Sequence, residues 1–196
     1  MAGVAQDPRE RHGAAVIVSV KFDKSGIVAL EPGPFRRAVV RALRKAGATA
    51  LRDMRSEASK RIRARKRIKA SYISRALSLQ RPKGGDIASM QWALNVSGEP
   101  VPLIAYPHRQ TAKGVSVEVN RGKRTLLKGA FVASMRSGHE GVFRRKGKAR
   151  LPIQELRGSR PVDALLHEGE AQGVADRGGA SFQATFTRVL PMEVGK

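Results

Sequence analysis

With cysteine absent, the ionisable side chains that could do chemistry in this chain are chiefly its four histidines, 16 carboxylates and 38 lysines and arginines, with serine, threonine and tyrosine hydroxyls beside them. His12, His108, His139 and His167 are scattered with no i, i+4 pair, and the His139-Glu140 dipeptide lacks the second histidine of a metalloprotease helix. Asp163, Glu168, Glu170 and Asp176 lie in a glycine-rich segment that reads as solvated loop, not as an acid/base pair. Phosphate-cradling GxxxxGK[ST] and GxGxxG loops and the GxSxG nucleophile elbow are all missing. The expectation is a protein with no catalytic residues, no cofactor and no metal. Without cysteine there is no disulfide framework, which suits a reducing cytoplasm.

The cations are another matter. A formal charge of +22 on 196 residues opposes compaction by self-repulsion and attracts polyanions. Residues 36–69 carry 14 basic against 2 acidic side chains, and residues 121–150 carry 10 against 1, so two blocks hold nearly all the excess. The run KRIRARKRIK supplies Lys60, Arg61, Arg63, Arg65, Lys66, Arg67 and Lys69; the second block adds Arg144, Arg145, Lys146 and Lys148. These eleven are the candidate contact residues. They suit DNA phosphates, through charge neutralisation and counterion release. They equally suit acidic neighbouring subunits, or a helix C-terminus whose dipole favours cations. Trp92, Tyr72 and Tyr106 sit within apolar patterns and are not interleaved with the basic runs, so Trp92 reads as core and not as a stacking platform for bases.

The elements that must position these residues follow from periodicity. The valine-rich run AAVIVSVKF predicts a strand at a sheet edge. Pro34 suits the first turn of a helix, and Phe35, Val39, Leu43, Ala46, Ala50, Met54, Ala58 and Ile62 keep one apolar face to about Arg67, despite Gly47. A second short helix, SYISRALSL, capped by Ser71, comes next. After Pro82, Gly84 and Gly85 the period shortens, and SMQWALNVSG, VPLIAYP, GVSVEVNRG and GAFVASM read as antiparallel strands, with RSGHEGVFRRKGKARLPIQEL a basic loop or hairpin before a last strand. Phe182, Phe186, Val189 and Leu190 give a short C-terminal helix starting at Ser181, which Pro191 should end early. The expected fold is α+β: a long N-terminal helix on a small antiparallel sheet built mainly from residues 88–157, with extended terminal arms. The expected organisation is an arm with one strand at 1–33, a core at 34–162, and a C-terminal arm with a short helix at 163–196. No segment approaches the roughly 20 apolar residues that span a bilayer, and the N-terminus lacks the basic and cleavage regions of a signal peptide.

Several strings also occur in a recognisable order. FDKSGIVAL, the long helix FRRAVVRALRKAGATALRDMRSEASKRI, PHRQTAKGVSVEV and LLKGAFVASMRSGHEGVFRRKGKARLPIQELRGSRPV resemble the phage minor tail protein Z (tail-completion) family over roughly residues 22–162. The most specific series is Gly129-Ala130-Phe131-Val132-Ala133, then Ser137-Gly138-His139, Gly141-Val142-Phe143 and Arg145, then Leu151-Pro152-Ile153, Glu155 and Leu156. The resemblance implies a structural virion protein, assembled in the host cytoplasm, that completes the tail at its head-proximal end. It implies a homo-oligomer, a six-fold ring matching the tail axis, beside the tail-terminator protein and the head-completion or connector proteins; non-specific contact with phage DNA is the expectation from the basic blocks, and no membrane that from the lack of a long apolar segment. The first 21 residues and the C-terminal segment depart from the family pattern. A stand-alone basic nucleic-acid-binding protein is the alternative from a different class.

Overall fold

In the computed structural model, which describes residues 16–20, 27, 30–83 and 86–195, the apolar stripe becomes the buried face of one long helix. Helix α1 is Pro34–Arg65, and Val39, Leu43, Ala46, Ala50, Met54, Ala58 and Ile62 are at most 3% exposed. Phe35 departs from the pattern and stays half exposed in the first turn. Arg37, Arg41, Arg44 and Arg52, off the stripe, are exposed, as amphipathicity demands.

The chain folds as two compact units, each assembled from separated stretches: Val16–Lys60 with Leu77–Val96 and Leu165–Lys196, and Arg61–Ala76 with Ser97–Ala164. In the first, β1 (Val16–Val20), β2 (Leu77–Gln80) and β3 (Trp92–Val96) form an antiparallel sheet in the order β1-β3-β2, with Val18 and Leu79 both opposite Leu94. Helix α1 lies on this sheet with Gly47 directly over the Trp92 indole. Helix α3 (Glu170–Val194) packs on β1, buries Val174, Gly178 and Phe182, and brings the Phe182 ring within 5.8 Å of Trp92.

The second unit holds helix α2 (Ala70–Ala76), a 3-10 turn at Leu103–Ala105, and strands β4 (His108–Thr111), β5 (Gly114–Asn120) and β6 (Lys123–Lys128) in one antiparallel sheet. Strands β7 (Ala130–Ser134), β8 (Glu140–Arg145) and β9 (Ile153–Glu155) form another, followed by a 3-10 turn at Pro161–Ala164. Val115, Val117, Val142 and Tyr106 are at most 1% exposed and mark its core.

The α+β class and the edge position of β1 agree with the sequence reading; several details are corrected. The single sheet expected over 88–157 is three three-stranded sheets, one of which recruits β1 and β2 from outside that range. The run SYISRALSL splits: helix α2 starts at Ala70, ahead of the expected Ser71 cap, and Leu77 begins a strand because β3 offers it a partner. VPLIAYP is not a strand. Pro102 has no N–H for a ladder, its carbonyl accepts from the Ala105 N–H at 3.0 Å, and a 3-10 turn results. The expected C-terminal arm is a 25-residue helix that starts at Glu170, not at Ser181, and continues through Pro191. The part of the N-terminal arm before Val16, His12 included, lies outside the described residues.

Tyr106 shows how the second unit is closed. Its ring is fully buried, a Cβ on Gly158 would come within 2.8 Å of it, and its hydroxyl donates to the Ser159 carbonyl at 2.9 Å. Burial raises the phenol above its usual range. The folded state therefore keeps the proton that the unfolded chain releases near pH 10, and this contribution, present below that pH, is lost as pH rises further. Tyr106→Phe should cost about 1 kcal/mol in urea denaturation at neutral pH, and the variant should lose less stability than the parent between pH 9 and 11.

Candidate functional site

The cationic run at the end of α1 does not stay helical. Lys66 N–H closes the last turn on the Ile62 carbonyl at 2.8 Å, and the chain then runs beside the β5–β6 hairpin. Lys66 bridges Asn120, Arg67 N–H donates to the Val119 carbonyl at 3.1 Å, and Arg121 N–H returns a bond to the Arg65 carbonyl at 3.1 Å. The Lys66 ammonium donates to Asn120 Oδ1 at 2.7 Å, and the Arg121 guanidinium donates to the Arg63 carbonyl at 3.0 Å. A cation on a carbonyl of the last turn satisfies an acceptor the helix leaves open and complements its dipole. Lys69 N–H, on the Ala105 carbonyl at 2.9 Å, fixes the far end of this segment.

These bonds frame an open cleft of about 390 Å³ lined by Arg63, Lys66, Arg67, Ile68, Lys69, Tyr106, Pro107, His108 and Arg121. Five of the nine carry fixed positive charge. Glu118 is a carboxylate bound to this wall: it accepts from Gly122 N–H at 3.0 Å and lies 4.0 Å from Arg67 and 3.7 Å from Arg124. That backbone bond first, and then the field of Arg67, Arg124 and Arg121, hold its carboxyl below the usual carboxylate range. His108 Nδ1 lies 2.8 Å from the Tyr106 carbonyl oxygen. A carbonyl only accepts, so Nδ1 carries the proton.

Of the eleven candidate contact residues, the cleft brings together Arg63, Lys66, Arg67 and Lys69. Lys60, Arg61 and Arg65 do not line it. Arg144 and Arg145 project from β8, Lys146 and Lys148 follow in the connection to β9, and all four are exposed and outside the cleft. The Arg145 guanidinium lies 5.8 Å from the centre of the Phe131 ring, which gives it an intramolecular seat. Sequence reasoning missed Arg121 and His108. The one local signal was the Asn120-Arg121-Gly122 turn between two strand patterns; its meeting with the helix end is a long-range event.

Among the described residues no group of three or more His, Asp or Glu side chains is arranged to hold a metal, and no helix is long and apolar enough to cross a membrane. Comparison with protein-family models, with curated proteins and with solved structures gives no match.

Proposed function

We propose that this chain is a structural virion protein without catalytic activity that completes a phage tail at its head-proximal end and helps join tail to head, as a homo-oligomeric ring around the DNA path. In this reading the basic cleft meets an anionic partner, either DNA or an acidic face of a neighbouring subunit such as the tail terminator or a head-completion protein. One observation carries it. The three strings of the most specific sequence series fall on β7, β8 and β9, consecutive strands of one sheet.

The residues of that series also have physical reasons to be where they are. Gly138 turns the β7–β8 hairpin at φ 79°, a left-handed conformation that favours glycine. A Cβ on Gly141 would lie 2.8 Å from the Phe143 ring and 3.0 Å from Glu155 Oε1. His139 Nε2 meets Glu155 Oε1 at 2.8 Å, so the middle string is tied to the last. These features build a sheet, which supports a structural over a catalytic use of His139 and Glu155.

The second reading, a stand-alone nucleic-acid-binding protein, is favoured by the cleft alone. An epitope-tagged copy expressed during lytic growth separates the two. In the tail reading it sediments with tail particles, in several copies at one end of the tail; recovery only with bulk nucleic acid selects the second reading.

A further inference from the structure

Within the reading of the cleft as an anion site, we infer that its ligand is the phosphodiester backbone of nucleic acid, gripped without base readout. The cations are placed before any ligand arrives. Arg63 comes from the last turn of α1, Lys66, Arg67 and Lys69 from the extended segment that follows it and Arg121 from a hairpin turn, and backbone bonds from Arg67 to Val119 and from Arg121 to Arg65 lock the two stretches together. Gathering five like charges in one cleft costs electrostatic energy that a bound polyanion relieves, and their prior placement spares the ordering entropy of assembling them on binding.

The make-up of the walls separates nucleic acid from an acidic protein. Protein interfaces draw most of their affinity from apolar and aromatic anchors seated in desolvated pockets. Of the apolar residues of the cleft, Tyr106 is 0% exposed with its hydroxyl on Ser159 and Ile68 is 5% exposed, which leaves the part-buried Pro107 and the aliphatic stems of the cations as its apolar surface. No large apolar or aromatic anchor faces outward, whereas guanidinium and ammonium groups do, the chemistry that phosphate contacts need. The same burial of Tyr106 removes a platform for base stacking, so single strands gain no advantage over duplex.

The test uses the purified full chain, two 20-base-pair DNA duplexes of unrelated sequence, and polyglutamate of matched charge, over a salt series. Since a chain of +22 attracts any polyanion, the deciding contrast is between two variants of equal charge: Arg63→Gln/Arg67→Gln/Lys69→Gln in the cleft and Arg144→Gln/Arg145→Gln/Lys146→Gln outside it. The cleft variant is expected to lose at least tenfold in duplex affinity at about 0.1 M salt, and to flatten the log-log salt slope by about 2 to 3. The outside variant should lose severalfold less, both duplexes should bind alike, and polyglutamate should compete poorly. Glu118→Gln keeps an acceptor for Gly122 and should tighten duplex binding severalfold, a gain that misfolding cannot imitate. Equal losses in the two triple variants overturn the cleft as an anion site altogether. Equal competition by polyglutamate, with the same dependence on the cleft, leaves the anion site standing and overturns the phosphodiester assignment.

Discussion

Gly47→Ala is expected to destabilise the fold by about 2 kcal/mol, the opposite of what helix propensity dictates. Alanine in the middle of a helix is favoured over glycine by about 1 kcal/mol, so on local grounds the substitution stabilises α1. The added methyl, however, would stand 2.1 Å from Trp92 Cε2 and 2.3 Å from Nε1. Neither side yields easily. The indole is 2% exposed, and behind it the Phe182 ring, 5.8 Å away, is itself stacked on Phe186. Overpacking a filled core typically costs about 1–3 kcal/mol and sometimes more, and a contact this close belongs at the upper end, which outweighs the propensity gain. Thermal unfolding should show a fall of roughly 5 °C for a chain of this size. A double-mutant cycle with Trp92→Leu checks the cause: the smaller side chain should make Gly47→Ala nearly harmless, giving a coupling of about 2 kcal/mol. A rise in stability for the single variant would show that the close approach of α1 to β3 is wrong.

Gly47 also marks where the sequence stops being readable. The spacing from Val39 to Ile62 and the position of Pro34 are local facts, and they place α1 within two residues of its observed end. That a glycine interrupts the stripe because an indole passes beneath it is not local, for Trp92 is 45 residues further on. The same division runs through the rest. Helical and strand signals compete in SYISRALSL, and the choice at Leu77 falls to Val96, the strand partner opposite it. Glycines 173, 178 and 179 each weaken α3 by about 1 kcal/mol as isolated helix, which is why the segment read as a loop; burial of Val174, Gly178 and Phe182 outweighs them. At the candidate site the basic run was plain, yet its members divide by tertiary placement. Arg63 and Arg67 turn into the cleft because Asn120 and Arg121, more than 50 residues away in sequence, pair with the end of the helix.

The largest loss of stability is expected where α3 is held to α1. Glu193 lies in the last turn of α3 and is 2% exposed, with Oε2 at 2.7 Å from Arg41 Nε and Oε1 at 2.6 Å from Lys45 Nζ. A second guanidinium nitrogen of Arg41 donates to the Glu193 carbonyl at 3.2 Å. A carboxylate there faces the negative end of its own helix dipole and has lost most of its water, so it depends on the two cations. They do not depend on it to the same degree, since the side chains of Arg41 and Lys45 are 47% and 56% exposed and can turn to solvent. The two halves of the cluster should therefore respond unequally. Glu193→Gln keeps the shape, frees two cations that water can solvate, and should cost about 1–2 kcal/mol. Arg41→Met/Lys45→Met takes both cations from the buried carboxylate and should cost about 3–5 kcal/mol, even though it removes two of the exposed charges that burden this basic chain. Combining all three substitutions should give a loss no larger than that of the cation pair alone, because the buried negative charge is then gone. Urea denaturation of the four proteins at pH 7 measures each term. Equal losses for the two half-variants would mean that α3 is held by its apolar face, with the Glu193 cluster contributing only surface electrostatics.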